Sequence, residues 1–129
     1  MRYIAVFFIV LLTACTNQYK LFKNYIEDEN LFLERFGATS KIVPKNAVIV
    51  LSNGSFKGFG GCNDYSGTYY IKKKFIHFKL NSIGEKVCKE SYNEREYLET
   101  LVKTTNLLIE GKRVIFKDRD NRVLLVFRR

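Results

Sequence analysis

The sequence predicts an α+β fold that is mainly β, a small curved antiparallel sheet or barrel carrying one packed helix. Three observations predict it. About seven short runs rich in β-branched and aromatic residues are separated by turns of Gly, Asn, Asp and Lys. One helical pattern interrupts the series late, between two groups of strands. The 129 residues, 47% hydrophobic and 15% aromatic, suit a single core.

The N-terminus has a different character. Met1-Arg2 is a short basic region, residues 4–12 are unbroken apolar, and Leu12-Thr13-Ala14-Cys15 fits the lipobox that precedes a lipidated cysteine. The apolar run is too short to span a bilayer, so a secretion leader is expected over residues 1–14 with lipid attached at Cys15. Diacylglycerol and an added acyl chain at that cysteine would anchor the protein stably without spanning the membrane. Thr16, not Asp, follows Cys15, which points to the outer membrane facing the periplasm. Residues 15–30 read as a lipidated tether, because Glu27-Asp28-Glu29 would be repelled by anionic lipid, and the domain is expected to occupy residues 31–129.

Within the domain, Leu31–Phe36 is the first strand. Residues 47–51 follow Pro44 and are apolar and mostly β-branched, as a buried strand requires. Asn53-Gly54 then marks a hairpin, since both central residues of such a turn need positive φ. The strand over 56–61 returns antiparallel. Beyond it, 67–71 and 75–80 form another pair around Lys72-Lys73-Lys74, with Ile76, Phe78 and Leu80 on the core face. His77, the sole histidine, lies on the opposite face and reads as a solvated strand residue.

After a connection over 81–90, Ser91-Tyr92-Asn93-Glu94 has capping-box spacing, so a helix starts there. Tyr97, Leu98, Leu101 and Val102 supply its apolar stripe. Residues 107–109, Arg113–Lys117 and 122–127 complete the chain as a meander of short strands.

The most informative stretch is Gly60-Gly61-Cys62-Asn63-Asp64-Tyr65-Ser66-Gly67. Its residue types are those chosen for backbone shape, between two strand-like segments. With Cys15 lipidated, Cys62 and Cys88 remain as an even pair in an exported compartment. A disulfide is expected there, with two buried thiols or a redox pair as the alternatives.

This stretch, with Gly58 and Phe59 before it and Tyr69 after it, resembles the META domain of the HslJ-like bacterial lipoproteins. The resemblance covers residues 31–127 and implies a lipocalin-like antiparallel barrel with the helix packed against it. The matching motif positions are Gly58, Gly61, Cys62, Asn63, Tyr65, Gly67, Tyr69, Cys88, Glu96 and Leu101, all expected to be structural. The chain departs from the family in two places. It has no tryptophan, so Leu31 or Phe32 takes that place in the first strand, and near Cys88 it keeps only the apolar neighbour Val87.

No metal-ligand cluster, nucleophile with its base, or phosphate-cradling glycine loop is evident, so a non-enzymatic protein without cofactor is expected. The formal charge of +9 favours anionic partners, and the leader argues for phospholipid headgroups over nucleic acid. Lys72, Lys73, Lys74, Arg128 and Arg129 are the candidate basic surface. The resemblance to a heat-shock-associated family linked to novobiocin resistance implies an envelope stress or interaction module, with an unidentified envelope protein as partner. A small-molecule or lipid-binding barrel in the periplasm is the alternative.

Overall fold

The computed structural model describes residues 23–37, 42–72, 75–89 and 91–129, without the side chains of residues 91 and 92. Eight strands and one packed helix follow in the order β1 (Leu31–Phe36), β2 (Val48–Ser52), β3 (Ser55–Phe59), β4 (Asp64–Lys72), β5 (Phe75–Ile83), α1 (Ser91–Val102), β6 (Asn106–Glu110), β7 (Arg113–Lys117) and β8 (Val123–Arg128). They form one sheet ordered β5-β4-β3-β2-β1-β8-β7-β6, antiparallel at every pairing. Two meanders thus join at the β1–β8 pair. The outer strands approach each other where the Ile76 N–H donates to the Thr105 carbonyl at 2.9 Å, so the sheet curls into a barrel with a largely unzipped seam.

The Asn53-Gly54 turn is a two-residue hairpin loop, with φ of 53° and 85° between the paired Ser52 and Ser55. Elsewhere the strands outrun the sequence pattern. Asp64, Tyr65 and Ser66, which fall between the strands expected over 56–61 and 67–71, belong to β4, because the ladder with β3 continues to Phe59 and Asp64. The turn is confined to residues 60–63. β5 likewise runs to Ile83, carried by pairing with Tyr65 and Ser66 across a register shift at Ser66/Gly67.

The domain also begins earlier than Leu31. Residues 25–30, read from the sequence as tether, pack onto it: Ile26 is fully buried, Glu27 bridges to Leu51, and the Asp28 N–H donates to the Leu51 carbonyl at 2.8 Å. Burial of one large apolar side chain outweighs the acidic neighbours, which stay at the surface, where Glu27 and Asp28 accept hydrogen bonds from Asn53 and Ser52.

Six aromatic rings fill the interior as a closed circuit. Phe56 contacts Phe78 at a centroid distance of 5.4 Å, Phe78 contacts Phe116 at 5.8 Å, and Phe116 contacts Phe127 at 4.6 Å. Phe127 meets Tyr97 at 6.4 Å, Tyr97 meets Tyr65 at 5.9 Å, and Tyr65 returns to Phe56 at 6.2 Å. The circuit joins β3, β5, β7, β8, α1 and β4 in the edge-to-face and offset contacts aromatic quadrupoles favour.

Two glycines make room for it. A Cβ on Gly67 would collide with the Phe56 ring and the Lys79 carbonyl, and one on Gly58 would lie 2.5 Å from the Tyr65 hydroxyl. Gly67 sits at the expected bulge, and at Gly58 a Cβ would meet the Val48 carbonyl of β2 even before the Tyr65 ring, so the missing side chain there serves both a close backbone approach and ring packing. On α1, Tyr97, Leu98 and Leu101 are buried while Val102 is 40% exposed, so the expected stripe is one residue too long. In β1, Leu31 enters the core and Phe32 faces solvent.

Candidate functional site

Residues 60–63 turn tightly between β3 and β4, with the Gly60 N–H donating to the Asn63 carbonyl at 3.0 Å and Gly61 at φ 104° against Pro44. The loop thereby aims its amides at α1. One Glu94 carboxylate oxygen accepts from the N–H groups of Cys62 at 2.8 Å and Asn63 at 2.6 Å, and the other accepts from Asn63 Nδ2 at 2.8 Å. The Asn63 side chain also pairs with the backbone of Lys86, donating to its carbonyl at 3.0 Å and accepting from its N–H at 2.8 Å. Asn63 and Glu94 are both buried. Burial raises the strength of such bonds and the cost of losing one.

The Cys62–Cys88 disulfide, with Cα atoms 6.0 Å apart, closes the same corner. One loop, the segment entering the helix and the helix's first turn are therefore held by three independent links. Glu94 was expected to reach back toward Ser91, whose side chain lies outside the described residues. Its carboxylate binds the loop, where it satisfies two N–H groups left without strand partners.

A second polar contact ties the helix to the barrel. Tyr65 Oη lies 3.0 Å from the Val48 carbonyl and 2.6 Å from Tyr97 Oη. A carbonyl can only accept, so Tyr65 donates to Val48 and Tyr97 donates to Tyr65. Burial pushes both phenols above their ordinary pKa, further for Tyr65, and both stay neutral.

The remaining motif positions are Tyr69 and Leu101, both buried, and Glu96, half-buried on α1. Together the motif residues build a scaffold. The basic positions do not form one patch. Lys72 is exposed at the end of β4, whereas Arg128 and Arg129 lie at the end of β8, four strands away along the sheet, where Arg129 stacks 5.3 Å above Tyr25. Cys15, Lys73 and Lys74 lie outside the described residues. His77 is half-buried and stacked on Tyr70, with centroids 4.7 Å apart and planes at 19°, not simply solvated.

The outer face of the barrel carries the remaining chemistry. A shallow cleft of about 440 Å³ is lined in part by Phe75, Asn106, Lys117 and Arg119, and a second of about 250 Å³ by Lys23, Glu27 and Tyr70 among others. Among the described residues no group of three or more His, Cys, Asp or Glu is placed to hold a metal ion, and no helix is long and apolar enough to cross a membrane.

Comparison with known proteins gives a family model, the META domain, that matches residues 25–129. No curated protein sequence matches the chain. Among solved structures, a DUF4847-family protein from Bacteroides vulgatus superposes with a TM-score of 0.64 at 11% identity, covering 82% of this chain and 95% of that one. A protein from Burkholderia xenovorans solved by NMR gives 0.66 at 21% identity, covering 84% and 86%. At these identities the two structures share the fold.

Proposed function

This chain belongs to the META-domain family, and from that membership we propose that it is a membrane-tethered envelope lipoprotein, non-enzymatic, acting as an envelope stress or interaction module. The observation that carries the reading is the filled barrel. The ring circuit of Phe56, Phe78, Phe116, Phe127, Tyr97 and Tyr65 occupies the space a ligand-binding barrel keeps open, which speaks against a small molecule or lipid held inside. Recognition then belongs to the outer surface, and its partner is an envelope protein or the membrane itself.

Two features support the address. Leu12-Thr13-Ala14-Cys15 offers the lipid attachment site, and the Cys62–Cys88 disulfide suits an exported, oxidising compartment. Thr16 after Cys15 favours the outer membrane, with the domain in the periplasm. Growth with labelled palmitate tests the tether. The wild-type chain takes up label and fractionates with outer membrane, and Cys15→Ser removes both; unlabelled wild-type protein recovered from the soluble fraction contradicts the reading.

A further inference from the structure

The outer face of β3, β4 and β5 carries Lys57, Lys72 and Lys79 around the exposed Tyr70 and its stacking partner His77. The register places them together: Tyr70 lies opposite His77, Thr68 opposite Lys79, Lys72 opposite Phe75, and Lys57 opposite Ser66. Neighbours on one face of a sheet are about 5 Å apart across strands and about 7 Å along them, so the three ammonium groups surround the ring pair within a few such steps. These strands contain a single carboxylate, Asp64, at the far end of β4.

The ion pairs seen among the described residues lie away from this face, around β1, β7 and the turn that follows β7. Arg113 is paired with Glu34, and Arg122 with Asp118 and Asp120. Among the described residues no ion pair engages Lys57, Lys72 or Lys79. Unneutralised lysines around an exposed tyrosine are the composition of a surface that meets headgroups, with the amphipathic ring at the boundary and the ammonium groups on anionic phosphates.

The entry of the chain adds the second argument. Lys23 and Glu27 line one cleft with Tyr70, so the polypeptide reaches the domain beside this face. Cys15 is eight residues before Lys23, a span of about 28 Å at full extension. We infer that the β3–β4–β5 face, centred on Tyr70 and His77, is the surface the domain lays against the anionic membrane that anchors it. The orientation rests on the proposed tether. The face's affinity for anionic lipid does not.

The chain has no tryptophan, so one introduced indole reports alone. Thr68→Trp places it on this face, and Phe32→Trp places it on β1, three strands away, where Phe32 is already 54% exposed. The full acylated chain is reconstituted in phosphatidylethanolamine–phosphatidylglycerol vesicles containing a nitroxide-headgroup lipid. Thr68→Trp should lose most of its emission and Phe32→Trp little. Equal quenching, or none in either, overturns the inference.

Intact mass reads acylation separately. The full chain with Cys15→Ser should still bind phosphatidylglycerol vesicles at low salt with its Thr68→Trp reporter quenched. Replacing Lys57, Lys72 and Lys79 with Gln should weaken that binding on the order of a hundredfold. Unchanged binding in the triple variant overturns the inference whatever the acylation state, whereas intact binding by a chain that cells never acylate sinks the tether and leaves the face standing.

Discussion

The carboxylate of Glu94 closes on the amide of Asn63 from two directions, accepting its backbone N–H at 2.6 Å and its side-chain Nδ2 at 2.8 Å. A helix and a turn 31 residues apart are thereby joined without a cation. Glu94→Ala strands two amides at a buried corner and should cost about 3 kcal/mol in urea unfolding. Glu94→Gln should cost less, since its oxygen can keep the backbone bonds while its NH2 group opposes Asn63 Nδ2. Equal losses in the two variants would show that a neutral oxygen of the same shape keeps neither backbone bond and that the negative charge is what holds the corner.

The tyrosine pair predicts an asymmetry. Tyr65→Phe removes the donor to Val48 and the acceptor for Tyr97, leaving a fully buried hydroxyl orphaned, at a cost of about 2 kcal/mol. Tyr97→Phe leaves the Tyr65–Val48 bond in place and should cost less. Urea midpoints of the two variants at neutral pH make the comparison.

Alkaline pH tests the same pair by linkage. Both folded pKa values are raised by burial, so this contribution is fully present below about pH 10, where the unfolded phenols titrate, and is lost as pH rises toward the folded values. Stability should fall by about 1.4 kcal/mol per pH unit for each tyrosine above that point. Denaturation at pH 9 to 11 measures the slope, and the Tyr65→Phe/Tyr97→Phe double variant should flatten it.

Reducing the disulfide should cost about 3 kcal/mol, the loop-closure entropy of a 26-residue separation. Because Glu94 holds the same turn independently, the Cys62→Ala/Cys88→Ala protein should remain folded. The triple variant that adds Glu94→Ala should lose more than the sum of the two, read from thermal unfolding.

Gly67→Ala brings a methyl group into the Phe56 ring and the Lys79 carbonyl, in a core without room to yield. Destabilisation of about 2 kcal/mol or more is expected, with the near-ultraviolet dichroism of the ring circuit altered. Gly111→Ala has open space around it but φ of 60°, so its smaller cost comes from the backbone alone.

The strands were legible where the pattern is local. Asn53-Gly54, the alternation through Ile76 and Phe78, and the helix start at Ser91 each depend on a few neighbouring residues, and each stands as expected. What was illegible depends on distant partners. Glu94 satisfies a capping-box spacing, and nothing nearby says that it receives two amides at Cys62 and Asn63. Ile26 sits among acidic residues and reads as tether until β2 holds its neighbours Glu27 and Asp28 at Leu51 and the core closes over it. Gly67 reads as a bulge and is one, but a sequence shows only the missing side chain there and at Gly58, not the Phe56 and Tyr65 rings that lie against them. The lysines likewise read as one surface until the sheet order separated Lys72 from Arg128 and joined it to Lys57 and Lys79.

The most direct test of the central claim is the intact mass of the protein extracted from the membranes of its own cells, followed by the same sample after reduction. The account predicts a chain beginning at Cys15 with diacylglycerol attached, which gains two hydrogens on reduction as Cys62 and Cys88 separate. A chain that retains Met1 and carries no lipid would contradict it.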